Sequence, residues 1–343
     1  MKTLKSIVAV AFVVLLSILS SCSNVDDTST VKDFYFVGGE GNVPKYWKNG
    51  VATSLTDGKN YADAAAITVV GNDVYVAGYE YSSPSVAKYW KNGVATALTD
   101  RTKWAQTSAI TVAGNDVYVA GYETNNTNIA VATYWKNGVA TELTDGKHHA
   151  NLAAITVVGN DVYVAGNDYS VAKYWKNGIA TVLTDGTKDA YAYAMTVVGN
   201  DVYVAGDNGG YEIGVATYWK NGVATALTDG KHHAVARAIT VVGNDVYVAG
   251  YEYNGSEISR LFYGSYITDG RSIAKFWKNG VATTLTNGQN NASACAITVV
   301  GNDVYVAGYD GNVAKCWKNG VANIVVPNAS YSSWVTGMFI TTN

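Results

Sequence analysis

Short apolar runs recur along most of the chain, each closed by a turn dipeptide, and none continues with the three- and four-residue spacing of a helix face. The stretch from Ala153 to Thr184 is typical. Ala153–Val158, Asp161–Gly166, Val171–Trp175 and Ile179–Thr184 each predict a strand, built from Val, Tyr, Ile, Thr and Trp, residues that suit a pleated, packed surface. Gly159-Asn160 joins the first two and Asn177-Gly178 the last two; such dipeptides accept positive φ and close two-residue hairpins. The runs from Ile155 to Val158 and from Val162 to Ala165 lack the polar alternation of a half-exposed sheet, so both of their faces should be covered.

The pattern is periodic. The tetrapeptide WKNG occurs seven times, with its tryptophan at Trp47, Trp90, Trp135, Trp175, Trp219, Trp277 and Trp317. Six copies of GNDVYVAG begin at Gly71, Gly114, Gly159, Gly199, Gly243 and Gly301, and Asp33 to Gly38 is a worn seventh. The unit is about 44 residues, the size of a four-stranded propeller blade. The sequence therefore predicts an all-β protein, a seven-bladed β-propeller of four-stranded blades over residues 33 to 343, with the strands of each unit lettered A to D in chain order. Seven equivalent tryptophans predict packing between blades rather than a ligand platform.

Residues 33 to 57 hold only strands B, C and D of the first unit, while Trp334 to Ile340 form an apolar strand without a unit of its own. Together they should complete the first blade, tie the ends of the chain and remove exposed sheet edges. An apolar strand A leading through a tight turn into a strand B that ends in glycine resembles kelch-type propellers over all of 33 to 343. The resemblance is architectural and brings no function, because the kelch glycine doublet stands only at Gly38-Gly39 and adjacent Tyr-Trp replaces the kelch spacing.

Every unit has the same folding task, so positions that differ between units are the ones the fold leaves open. The A–B and C–D turns hardly vary; the D–A and B–C connections, which leave a blade on one face, do. Six units align on the alanine before the Ile-Thr or Met-Thr of strand A. At −5 stand Tyr61, Trp104, His149, Asp189, His233 and Asn291; at −3 Asp63, Gln106, Asn151, Tyr191, Val235 and Ser293; at −1 Ala65, Ser108, Ala153, Tyr193, Arg237 and Cys295. The −4 residue is alanine in all six. Alternation along a strand puts −5, −3 and −1 on one side, and strand A lines the channel, so these residues, with Ser332, Trp334 and Thr336 of the closing strand, should ring its mouth. Aromatic, amide, acidic, imidazole and guanidinium groups in one concavity suit a polar ligand with flat apolar faces, such as a sugar. Tyr81, Tyr169, Tyr211 and Tyr253 of the B–C loops, and a long insertion from Asn254 to Arg271 with Phe262, Tyr263 and Tyr266, extend the aromatic surface.

All four histidines lie in two Lys-His-His-Ala segments, at His148, His149, His232 and His233. Copper radical oxidases on kelch propellers use histidine and tyrosine beside a cysteine-modified tyrosine, and Cys295 shares the ring, yet no metal-ligand spacing is present. No metal or other cofactor is expected. Asp63 and Asp189 fall three blades apart, too far for a glycosidase pair, and neither a nucleophile elbow nor a phosphate loop occurs. The Asn-Asp of each GNDVYVAG is read as turn chemistry, with the aspartate satisfying backbone donors. Strand B separates Cys295 from Cys316, which argues against a disulfide. A binding module for a glycan or a surface protein therefore leads over a glycan-acting hydrolase, lyase or oxidase and over a purely structural or adhesive role.

The N-terminus changes the setting. Lys2 and Lys5 precede an apolar run from Ile7 to Leu16 and then small polar residues, the layout of a secretory signal over residues 1 to 21. Leu19-Ser20-Ser21-Cys22 resembles the bacterial lipobox, which implies cleavage before Cys22 and a diacylglyceryl group on its thiol. Residues 22 to 32 then form an acidic, flexible tether. In a bacterium with an outer membrane, the absence of aspartate directly after Cys22 favours delivery to that membrane, and Asp26-Asp27 resembles the surface-export tethers of Bacteroidota lipoproteins, which implies display outside the cell. Cleavage removes two lysines and no acid, taking the formal charge from −3 to −5; no basic patch points to nucleic acid, and a monomer is expected. Cys22→Ser should abolish labelling with palmitate and move the protein from the membrane to the soluble fraction; persistent membrane association would contradict the lipid anchor.

Overall fold

A computed structural model describes residues 31–209, 213–255, 258–260, 266–268, 270–324 and 333–342; side chains are not described in 258–260, 266–268, 323–324 and 333–334. Seven four-stranded antiparallel sheets form the blades of a propeller. Six are built from consecutive segments, as in blade 4, where Ala150–Val158, Asp161–Asp168, Val171–Lys176 and Ile179–Val182 are strands A to D. Strand A starts three residues before the expected Ala153, so the −3 position lies within the ladder. The A strands touch one another all the way round the ring, whereas the D strands at the rim are mostly exposed, Val94–Ala97 throughout.

Blade 1 joins the ends of the chain. Strands B to D are Val31–Glu40, Val43–Lys48 and Val51–Ser54, and Ser333–Thr342 pairs antiparallel with strand B as its strand A. The expected closure is present, with strand B beginning slightly earlier and strand A slightly longer than the apolar pattern suggested.

The two hairpin turns use their dipeptides differently. At the C–D turn Asn177 and Gly178 both have positive φ (50° and 83°), a type I′ turn; at the A–B turn only Gly159 does (60°), which makes that turn type II′. Both types match the twist of the strands they join.

Between blades, each WKNG tryptophan is sealed in. Trp175 is 1% exposed and packs with Tyr118, Ala120 and Ala132 of the preceding blade, and Trp135 packs likewise against Tyr75, Ala77 and Ala87. The remaining motif residues interlock on the face of the A–B and C–D turns. In blade 4, Asn177 Oδ1 accepts from the Val162 amide (2.9 Å) while its Nδ2 donates to Asp161 (2.7 Å); Asp161 pairs with Lys176 (2.8 Å), and that ammonium sits 5.1 Å from the Tyr163 ring centre. The aspartate therefore does not bind the turn's backbone as expected: the WKNG asparagine does, and the aspartate anchors asparagine and lysine. The ion pair, hydrogen bonds and Lys–Tyr contact recur in all seven blades. Exposed pairs of this kind are screened by water and contribute little to stability individually.

Strand A carries a β-bulge in every blade. Its register against strand B slips between −2 and the reference alanine, between Leu152 and Ala154 in blade 4, leaving the −1 residue outside the ladder. The same slip falls between Val335 and Gly337 in the closing strand, which makes Thr336 the −1 residue and Trp334 the −3 residue of blade 1. The glycine ending GNDVYVAG permits it: a Cβ on Gly166 would lie 2.0 Å from the Asn151 carbonyl oxygen. No larger residue fits there.

Truncation after residue 332 removes strand A of blade 1 and uncovers the edge of Val31–Glu40. The shortened protein should aggregate, with loss of the monomer peak in size-exclusion chromatography. A truncated monomer with an unchanged melting temperature would show that closure does not hold the ring.

Candidate functional site

Because the −1 residue is extra, period-two alternation does not carry through to it, and the three variable positions do different things. Side chains at −5 reach back to the preceding blade. His149 Nδ1 accepts from the Ala130 amide (3.1 Å), His233 Nδ1 from Gly214 (3.0 Å), and Asn291 Oδ1 from Ser272 (3.1 Å). These three hold the start of a neighbouring strand C, a structural task beside the ligand role expected of them, and His149 and Asn291 keep an exposed surface. Their backbone carbonyls, like those of Tyr61, Trp104 and Asp189, accept from the B–C loop of their own blade.

At −1 the ring divides. Ser108 donates to the Leu152 carbonyl, and Thr336 Oγ1 to that of Ala64 (2.8 Å), so both hydroxyls tie the inner edge of one blade to the next. Ala65 and Ala153 are small. Blades 5, 6 and 7 instead carry Tyr193, Arg237 and Cys295, and the chemistry gathers on this arc. The Arg237 guanidinium carbon lies 5.0 Å from the Tyr193 ring centre and 5.7 Å from that of Tyr251. Tyr191 stacks on Tyr193 at 6.3 Å, and Tyr251, Tyr253 and His233 form a mutually packed aromatic group with centroids 5.7–6.3 Å apart.

Electrostatics sets this arc apart. Burial pushes the Tyr193 phenol well above its usual value, and Asp207, itself 2% exposed, adds to the shift by charge and by hydrogen bonding. Burial also raises Tyr251, Tyr309 and the Cys295 thiol, with Arg237 opposing the shift in each. Burial works against the charge of Arg237, but the Tyr251 and Tyr193 phenols outweigh it and hold its pKa above the ordinary value. The side chain nevertheless has an exposed surface, so it is surrounded by protein and wet at the same time.

A second, smaller group lies on blades 2 and 3. Tyr61 hydrogen-bonds Tyr79, whose phenol is pushed up to about 12 by burial and by Asp63. Trp104 packs on Tyr81 at 5.6 Å, and Gln106 is half-buried opposite Tyr122. Asn151 is exposed opposite Asn167. Trp334 pairs through its backbone with Gly39, while its side chain, like Tyr211, Phe262, Tyr263 and Ser332, lies outside the described residues. Of the insertion, Ile258–Arg260 and Tyr266–Thr268 pair as a hairpin whose base is tied by Asn254 and Arg271.

Sequence reasoning missed one ring. The residue after each GNDVYVAG pairs across to the −3 position: Tyr79, Tyr122, Asn167, Asp207, Tyr251 and Tyr309. It supplies both Asp207 and one of the rings against Arg237. The signal was a variable, mostly aromatic position abutting an invariant motif. Cys295 on strand A and Cys316 on strand C are free thiols with strand B between them, as expected, and no cluster able to hold a metal occurs among the described residues. A groove of about 420 Å³ between blades 1 and 2 opens on the opposite face, lined by motif residues such as Lys48, Asn49 and Asn92. Its lining is repeated in other blades, so it lacks the individuality of the channel mouth.

His233 gives a pH dependence. Burial, and then Arg237, push its imidazole below the usual 6.5, and protonation of Nδ1 would also forfeit the bond from Gly214. With the folded pKa below the unfolded one, the contribution is complete above pH about 6.5 and is lost as pH falls from there toward the folded value. The melting temperature should therefore drop between pH about 7 and about 5, and less so in His233→Asn, which keeps an acceptor as Asn291 does. Coincident pH profiles of the two proteins would contradict this.

No protein-family model and no curated protein matches the chain. Among solved structures it is similar to a puromycin-hydrolyzing peptidase of Mycobacterium tuberculosis, with a TM-score of 0.55 and 10% identity over 88% of this chain and 54% of that one. It is also similar to the acylaminoacyl peptidase of Pyrococcus horikoshii, with a TM-score of 0.50 and 11% identity over 87% of this chain and 51% of that one. The chain spans about half the length of these two peptidases, and the likeness is one of fold.

Proposed function

We propose that this β-propeller is the binding domain of an exported, lipid-anchored envelope protein and that it takes a glycan at the channel mouth over blades 5 to 7. The observation that carries this reading is the aromatic and polar cluster of Tyr191, Tyr193, Arg237, Tyr251 and Tyr253 on the face where the blades differ. Sugars stack their C–H faces on such rings and take directional hydrogen bonds from the groups between them. The opposite face spends its polar groups on itself, in the repeated Asp–Lys–Asn network. The lipobox-like Leu19 to Cys22 supports the anchor, and the acidic tether supports display at the outer surface.

The test is a glycan array probed with the chain from Ser23 onward, followed by calorimetry on the best binder. Replacing Tyr191 and Tyr253 together by alanine should weaken binding more than about tenfold while leaving the melting temperature within a few degrees, because neither position is set by the repeat. Trp175→Ala should do the opposite, costing about 3–5 kcal/mol of stability. Unchanged binding by the double variant would move the site elsewhere. Failure to bind any glycan would overturn the reading in favour of a protein partner.

A further inference from the structure

The strongest unassigned feature is the cation in the channel wall. Every lysine of the repeated face and every lysine at the B–C end that faces a strand-B acid is neutralised, as in Lys88–Glu80, Lys173–Asp168 (2.7 Å) and Lys315–Asp310 (2.6 Å). Arg237 is different: among the described residues no carboxylate forms an ion pair with it. Asp207, the buried acid of the same arc, is engaged with the Tyr193 phenol.

Two phenol rings lie against the guanidinium, at 5.0 and 5.7 Å, and Tyr251 also hydrogen-bonds it. A guanidinium carries five N–H donors, so those that Tyr251 does not use can meet a carboxylate. The imidazole beside it, His233, is pushed below its usual pKa by burial and by Arg237 itself, and Asp207 is buried, so Arg237 is the charged group of this cluster with an exposed surface. Tyr253, packed on Tyr251, provides apolar surface next to that charge. A carboxylate attached to a ring with C–H faces satisfies both features.

We propose that the channel mouth selects carboxylated sugars, of the uronic-acid class, with Arg237 binding the carboxylate and the tyrosines of blades 5 and 6 stacking on the sugar ring. This rests on the glycan reading above and adds the charge of the ligand. Arg237 was placed by the bulge, which sets it outside the strand ladder where the wall is wet; in blades 1 to 4 the same position holds Thr336, Ala65, Ser108 and Ala153.

The experiment compares oligogalacturonate and hyaluronan oligosaccharides with their carboxyl-reduced forms and with a sulfated neutral glycan, by calorimetry on the chain from Ser23 onward. At least one carboxylated ligand should bind about tenfold or more tighter than its reduced form, weakening as salt rises from about 0.05 M to about 0.5 M. Arg237→Gln should erase that preference, so that carboxylated and reduced forms bind this variant alike, and Arg237→Lys, which keeps the charge but not the fork, should retain only part of it. Melting temperatures of both variants separate loss of binding from loss of fold. Equal binding of carboxylated and reduced forms, or an unaltered preference in Arg237→Gln, overturns the proposal and leaves the glycan reading standing. A sulfated glycan bound as well as the carboxylated ones overturns carboxylate selection, and absence of binding to any glycan, neutral or acidic, overturns both.

Discussion

Each blade turns on a contact too close for a side chain. The glycine that ends strand B lies against the carbonyl of the −3 residue of strand A, and a methyl group there would stand about 2 Å from that oxygen in each of the six blades built from consecutive segments. Only a glycine lets strand A buckle outward by one residue. The buckle brings the −1 residue to the channel wall and the −2 carbonyl within reach of the neighbouring blade's hydroxyls, as Ser108 and Thr336 show. Inner-edge bonding, channel composition and the placement of Arg237 all descend from it.

The two faces of the ring divide the remaining labour. On one, asparagine, aspartate, lysine and tyrosine satisfy each other in seven copies, so little is left over for a partner. On the other, the chain is freed from repetition, and chemistry is unevenly spread: small or cross-linking residues on blades 1 to 4 at the wall, a phenol, a guanidinium and a thiol on blades 5, 6 and 7. Uneven use of equivalent positions is what distinguishes a site from a scaffold here, and it is visible without reference to any relative.

The repeat made the fold legible, because seven copies of WKNG and the turn dipeptides leave few alternatives for strand number, hairpin type and closure. The site was legible only in outline. Period-two alternation placed −5, −3 and −1 on one side, but a bulge is a local backbone event that the residues of strand A do not announce; its cause sits on strand B, in the glycine of a motif that reads as ordinary strand and turn. His149, His233 and Asn291 carry a second task that their own strand does not announce, because their acceptor atoms serve amides of the preceding blade. Tyr251 and Asp207 went unnoticed because attention to an invariant motif hid the variable residue touching its end.

The clasp of blade 1 has a kinetic side. Six blades are made from neighbours in sequence and can form as each segment of chain becomes available, with little loop entropy to overcome. Blade 1 cannot: Asp33 meets Thr341 across 308 residues of chain, so its first strands must wait, unpaired on one edge, until everything between has been laid down. For a chain made from one end to the other, this delay fixes an order of events, an open ring of six blades followed by a single long-range docking step.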